Sequence, residues 1–279
     1  MRKALLAAAL CTVLATGALA QNRVEAVQYP AWLERGGQVV PLAPGTTLQP
    51  SDGIRTGQNA RVRLRLAEGS AVKLGENARF AIDASTERGG TFRSAMAVIA
   101  GAFRFTSAQA RKRDIAIRVK NVTVGIRGTD LWGKAAADRD FVVLIEGRIT
   151  MESEGHPQVV LDKPLDTYQR TGSAPPEVRR IDARQLEEYA RETEIATQGG
   201  AAQPQGEWRV VAAVFAERDP ALAFSRSLRA AGYPAEIAAG EGKFAVQVNR
   251  MASEADARAL MANLRGLQGV TLPHVKQGR

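Results

Sequence analysis

The chain has 279 residues, 45% of them apolar, with 26 glycines, 12 prolines and a formal net charge of +9. That length holds two domains with a core each, and the composition excludes disorder over the whole chain. The charge is uneven: residues 23–150 carry 20 Lys/Arg against 12 Asp/Glu, whereas residues 151–279 carry 16 against 17. A basic half of this kind attracts nucleic acid, anionic lipid or anionic wall polymer, and it equally describes a solvated sheet surface.

Residues 1–20 have the layout of a secretory signal: Arg2-Lys3, an apolar stretch over 4–19, and Ala18-Leu19-Ala20 as a small-x-small cleavage site before Gln21. Export to the periplasm and removal of this segment are the expectation. The single cysteine, Cys11, follows Leu10 rather than the small residue a lipid-anchor signal requires, so the mature chain is expected to have neither anchor nor disulfide. No later stretch approaches the ~20 apolar residues of a spanning helix.

Residues 23–170 read as an all-β domain. Arg61-Val62-Arg63-Leu64-Arg65-Leu66 alternates strictly, and Ala71-Val72-Lys73-Leu74 continues the pattern after a Glu68-Gly69 turn. Arg61, Arg63 and Arg65 then share a wet face opposite a buried one. Further short strands are expected at Ala78–Ile82, Ala97–Phe105, Ile115–Val119, Thr129–Lys134, Phe141–Ile145 and Arg148–Glu152. Many short strands with glycine turns predict a β-sandwich or β-solenoid.

Five blocks here, in order, resemble the FecR family. Asp52-Gly53-Ile54-Arg55-Thr56-Gly57 resembles its "GD-x-I-x-T-G" opening, and residues 61–77 resemble its "R-x-x-L-x-x-x-D-G-S-x-x-x-L-G-x-N" block, with Glu68 for the usual Asp. Gly101–Phe105, Val122–Asp130 and Val142–Ile149 resemble the later strands, the second of these its "G-V-R-G-T" segment. The Thr-Pro that usually precedes that segment is absent, and Leu161-Asp162-Lys163-Pro164 lacks the closing glycine. The resemblance implies an extracytoplasmic β scaffold, acting as sensor or protein-interaction module and, without the membrane helix and cytoplasmic region of signalling members, unable to relay a signal by itself. Arg61, Arg63, Arg65 and Arg127 are the candidate contacts to an envelope protein partner. Arg127-Gly128-Thr129-Asp130 also admits a structural reading, in which Gly125 and Gly128 permit positive φ or close backbone approach, Arg127 satisfies buried carbonyls and Thr129 caps a turn.

Residues 171–206 read as a helix capped by Asp182 and running to about Thr197, with Leu186, Tyr189 and Ala190 on one face, followed by a flexible linker over 198–206. Residues 207–279 change periodicity. Strands at Trp208–Phe215, Tyr233–Ala238, Lys243–Asn249 and Val270–Val275 alternate with helices starting at Asp219-Pro220 and Ser253. This βαββαβ order is ferredoxin-like, and the fold class is thus all-β plus α+β. Residues 208–215, 228–233, 244–249 and 253–257 resemble the SPOR domain, a module for peptidoglycan glycan strands stripped of peptides, which implies septal or denuded wall as the partner. The family's ligand positions fall on Val211, Ala213-Val214, Ala245 and Asn249-Arg250, all departures from the family pattern that leave fewer polar sugar-contacting groups; by alternation Arg209 and Gln247 are expected on the same open face as Val211, Ala213, Ala245 and Asn249. An ordinary solvated sheet face is the other reading of these positions.

His156 and His274 have no metal-ligand spacing partner, and no Gly-x-Ser-x-Gly, P-loop or dinucleotide fingerprint occurs. No catalytic residue, metal or cofactor is assigned, no nucleic-acid partner is expected, and the chain is expected not to be an enzyme.

Overall fold

The computed structural model describes residues 21–88, 91–108 and 113–278; the expected signal and Cys11 lie outside them. The β-rich half contains β1 (Arg23–Gln28), β2 (Ala31–Arg35), β3 (Gln38–Pro41), β4 (Gly53–Thr56), β5 (Arg61–Arg65), β6 (Ala71–Leu74) and β7 (Arg79–Arg88). It continues with β8 (Thr91–Thr106), β9 (Arg113–Val119), β10 (Val122–Ala135), β11 (Arg139–Ser153), β12 (Val159–Leu161), β13 (Asp166–Thr171) and β14 (Glu177–Arg180). Neighbours pair antiparallel, apart from β8 with β9. The alternation in β5 and β6 holds: Val62, Leu64 and Leu74 are fully buried and the basic residues between them half-exposed.

Fewer, longer strands replace several of the short ones anticipated. Residues 122–135 are a single strand, as are 139–153, so Arg127–Asp130 is not a free turn and the two strands expected after residue 140 are one. These long strands bend at glycines with positive φ: Gly101 in β8, Gly128 in β10 and Gly147 in β11. The bend lets one strand serve two stretches of sheet. Residues 122–126 of β10 pair with β9, and residues 130–135 pair with β8. At the crossing a Cβ on Gly147 would stand 2.1 Å from the Gly128 carbonyl oxygen. Thr129 locks the bend, with its N–H donating to Ser107 Oγ at 2.7 Å and its hydroxyl to the Arg148 carbonyl at 2.9 Å. Arg127 is exposed and Gly125 has neither positive φ nor a close contact, so of the structural reading Gly128 keeps its positive φ, Thr129 bonds across the bend instead of capping a turn, and the Arg127 and Gly125 parts do not hold.

The Asp52 motif is equally structural. Asp52 is buried and accepts two hydrogen bonds from Arg35, at 2.6 and 2.7 Å, and one from the Gln49 N–H at 2.7 Å. Burial pushes this carboxyl up, but the Arg35 and Gln49 hydrogen bonds and the Arg35 charge together outweigh it and hold it below the usual carboxylate range.

After β14, helix α1 (Ala183–Arg191) starts at Asp182, which accepts from the Gln185 N–H in a capping box. It ends at Arg191 rather than near Thr197. The segment expected to be a flexible linker is ordered. Gly200 and Ala201 donate their N–H groups to the Asp256 carboxylate, both at 3.0 Å. Ala201 and Ala202 form β15, which pairs with β1 on one side and, at Ala202–Met251, with the C-terminal sheet on the other. The glycine-rich composition reflects close packing and positive φ at Gly200, not looseness.

The C-terminal module comprises β16 (Trp208–Phe215), α2 (Arg218–Ala230), β17 (Ala235–Gly240), β18 (Lys243–Met251), α3 (Glu254–Leu264) and β19 (His274–Gln277). The pairings give the antiparallel order β19-β16-β18-β17 of the ferredoxin-like arrangement. Phe224 and Leu228 of α2 and Ala257, Leu260 and Leu264 of α3 are buried. Ser253 caps α3, whereas Glu217 rather than Asp219 holds the cap position of α2. The module is docked on the β-rich half. Trp32 Nε1 donates to the Ala230 carbonyl at 3.1 Å, the Ala31 N–H donates to the Gly232 carbonyl at 3.2 Å, and the Tyr29 and Tyr233 rings meet at 6.1 Å.

Two outcomes follow from these contacts. Gly147→Ala should destabilise the chain by about 2–4 kcal/mol in chemical denaturation, because the new methyl meets backbone. Gly155→Ala, also at positive φ but with nothing within 4 Å, should cost only about 1 kcal/mol. Asp52→Asn should cost about 2 kcal/mol at neutral pH. Because the Asp52 pKa is lowered by folding, its contribution is complete above the unfolded value of about 3.9 and fades as the pH falls through the folded one. Wild type and variant should therefore converge in acid.

Candidate functional site

The face of the C-terminal sheet away from its helices holds most of the predicted glycan positions. Register places Glu236, Gln247, Val211 and His274 in one row across β17, β18, β16 and β19, and Arg209 opposite Lys276 in the next. The row on the other side contains Ala238, Ala245 and Val214. A register shift between Val211 and Ala213 inserts Ala212, so Ala213 pairs with Val246 on the helix side. The strict alternation that put Ala213 on the open face fails at this bulge. Val214 takes its place there, 46% exposed.

Burial further narrows the set. Val211 is 2% and Gln247 8% exposed, so neither offers a free surface. The Asn249 amide donates to Glu236 Oε2 at 2.7 Å. Arg209 is half-exposed, and its Nε is buried without a hydrogen-bond partner among the described residues. What remains accessible is Ala245 and Val214 in one row and, beyond the buried Val211–Gln247 row, donors from Arg209, Lys276 and Asn249. Apolar surface and hydrogen-bonding groups on one face are the chemistry an extended sugar polymer requires.

The second candidate surface is the basic face of the β-rich half. Arg63, Lys73, Arg104 and Trp132 occupy one row across β5, β6, β8 and β10. Much of that row is covered by the chain itself. Residues 181–196 lie over it as an acidic strap: Glu194 pairs with Lys73 at 2.5 Å and Arg104 at 3.5 Å, and Glu192 with Lys134 at 2.7 Å. Tyr189 stacks on the buried Trp132, with ring centroids 4.8 Å apart and planes within 12°, and Ile181 and Leu186 extend the same cluster. Helix α1 thus packs back on the sheet through the Leu186–Tyr189 face read from the sequence. Arg63 and Arg65 lie beyond the strap and share Glu25, at 3.2 and 2.8 Å. Arg61 is half-buried, which lowers its pKa against the raising effect of Glu76 and Glu192. Arg127 lies on β10, which does not pair with β5, so the four arginines do not form one patch. The strap was not foreseeable as a strap; its signal was a net acidic segment bearing Tyr189, Glu192 and Glu194 in a chain whose sheet is basic and carries Trp132.

Residues 52–150 match the family model described as FecR protein, and residues 204–272 match the SPOR domain. The chain carries a FecR domain followed by a SPOR domain. The SPOR match begins at the ordered turn of residues 203–206, and the FecR sheet continues past its matched span through β14. Two crystal structures of a Parabacteroides distasonis protein assigned as an anti-sigma factor are similar. One, at 1.65 Å resolution, has 13% identity and a TM-score of 0.43 over 50% of this chain and 64% of that one. The other, at 2.50 Å, has 12% identity and a TM-score of 0.43 over 81% and 98%. No curated protein matches the chain. Both matched domains are non-catalytic families. Among the described residues no group of three or more His, Asp or Glu could hold a metal ion, and no helix is long and apolar enough to cross a membrane.

Removing the ring that closes the strap tests its role. Tyr189→Ala should cost about 2–3 kcal/mol and red-shift tryptophan fluorescence as Trp132 meets water. Glu194→Gln should cost under about 1 kcal/mol, since that carboxylate is 43% exposed.

Proposed function

We propose that this chain is an exported, non-enzymatic protein of the periplasm that binds peptidoglycan glycan strands freed of their peptides through its SPOR domain, with the FecR domain as sensor or protein-interaction scaffold. The observation that supports this most is the SPOR sheet face away from the helices, which carries the donors Arg209, Lys276 and Asn249 in one row and the apolar Ala245 and Val214 two rows along. Export rests on the layout of residues 1–20. The FecR domain adds a strapped sheet whose uncovered basic residues suit an acidic partner in the envelope.

A second reading has its own support. Gln247 is buried and the Asn249 amide is occupied by Glu236, which leaves fewer free groups for sugar and favours a scaffold whose SPOR domain contacts protein instead.

One binding measurement separates them. The full chain is incubated with intact sacculi, with sacculi whose peptides an amidase has removed, and with wall whose glycan has been cut. The glycan reading expects retention on the peptide-stripped strands alone, reduced about tenfold by Arg209→Ala with Asn249→Ala. No retention on any of the three selects the scaffold reading.

A further inference from the structure

A cleft of about 570 Å³ opens between the two domains, beyond the edge of the strap. One wall carries Arg23, Arg63, Arg65 and Lys73 with Glu25 among them, and the other is Gly45 with residues 203–205. Its cations are placed against their own interest. Arg23 stands directly opposite Arg65 across β1 and β5, and Arg63 directly opposite Lys73 across β5 and β6. Like charges at facing positions destabilise a sheet, so folding alone does not call for this arrangement. Glu25 serves both Arg63 and Arg65, Glu194 is shared between Lys73 and Arg104, and Arg23 is exposed. Positive charge therefore exceeds negative in a concave site, where field lines concentrate.

The cleft also adjoins the SPOR sheet. Arg250, next to Asn249 in β18, donates from Nη1 to the Pro44 carbonyl at 3.0 Å, and its own carbonyl accepts from the Gln203 N–H at 2.8 Å. A Cβ on Gly45 would lie 3.7 Å from both Arg250 Nη1 and Pro204. The Asn249 end of the SPOR sheet thus lies one residue along the chain from Arg250, which contacts the Gly45 and Pro204 wall of the cleft.

We propose that this cleft is a second subsite, on the FecR side of the junction, for the carboxylates of the same glycan strand; the proposal rests on the glycan reading above. The chemistry is selective. Hydrolysis of the amide joining peptide to sugar leaves one free lactyl carboxylate per disaccharide, whereas in undigested wall that position is a neutral amide. Guanidinium and ammonium groups bind carboxylates by charge-assisted hydrogen bonds, so the cleft reads the mark that peptide removal creates. The sheet face takes the sugar rings and the cleft takes their charge.

The test measures affinity of the full chain for soluble peptide-stripped strands and for the same strands with their carboxylates converted to amides. Wild type should bind the free acids about tenfold tighter or more, with a preference that shrinks as salt rises. Arg23→Gln with Arg63→Gln should lose that preference and leave binding to the amidated strands unchanged. Glu25→Gln should tighten binding to the free acids a few-fold, a gain that a misfolded variant cannot mimic. Polyglutamate at matched carboxylate concentration should compete poorly; competition equal to that of the strands would overturn the assignment to glycan. Equal affinity of wild type for both strand forms overturns the cleft and leaves the SPOR reading standing. Binding to neither form overturns that reading and the subsite with it.

Discussion

Ala201 and Ala202 hold the two domains in one piece. Ala202 pairs with Val27 of the FecR sheet and with Met251 of the SPOR sheet, and it is wholly buried. A strand of two residues has almost no hydrophobic area of its own, so its place depends on its surroundings. Asp256 supplies them: its carboxylate takes the Gly200 and Ala201 N–H groups while its own N–H and second oxygen are bound to Ser253. A buried carboxylate is tolerated when both its oxygens are hydrogen-bonded in this way. The cap of α3 is therefore also the clamp that seats the interdomain strand. Small side chains are needed there, since larger ones at residues 201 and 202 would push the two sheets apart.

Around that clamp the junction is built from tight fits rather than area. A Cβ on Gly232 would come within 2.8 Å of the Trp32 ring and 2.9 Å of Pro30. On Gly206 it would meet the Arg250 carbonyl oxygen at 2.2 Å. Trp32 is held from its other side by the Arg55 guanidinium, 4.5 Å from the ring centroid. Contacts of this kind fix orientation more than they add stability, because close packing leaves few alternative poses. The acidic strap works differently. Its ion pairs involve half-exposed partners and contribute little each, so the stack of Tyr189 on Trp132 anchors it and the carboxylates set its register over the basic row.

Much of this was legible in the sequence, for reasons that can be named. Arg61–Leu66 alternates strictly because its strand has one wet and one dry side, and its faces came out as read. The βαββαβ order survived because its helices carry clear apolar stripes and its turns clear glycines. Failures fall where local pattern yields to tertiary packing. One inserted residue, Ala212, reverses the side of Ala213, and nothing in a run of Val and Ala marks where a bulge falls. Strands β1 to β4 lack the long alternation that identified β5. Residues 198–206 have a linker's composition, yet their glycines are there to let backbone approach backbone. At Gln247 the residue type matched the role expected of it, but burial removed the access that role needs, and burial between neighbouring strands is not visible one strand at a time.

The ordered junction changes what the pair of domains can do. Two modules on a loose tether bind independently, and the second gains only from raised effective concentration. Here the SPOR sheet and the FecR sheet meet at a fixed angle through β15, Trp32 and Arg250, so a ligand on one presents its continuation to the other in a set geometry. Preorganisation of this sort reduces the ordering cost of binding an extended polymer. Arg250 is the last shared element, with one end in the strand that follows Asn249 and the other bonded to Pro44. Asn249 and Arg250 are consecutive, and Arg250 is bonded to the loop that forms the far wall of the cleft. Any differential contact made there is coupled to the FecR side by the same free energy in both directions.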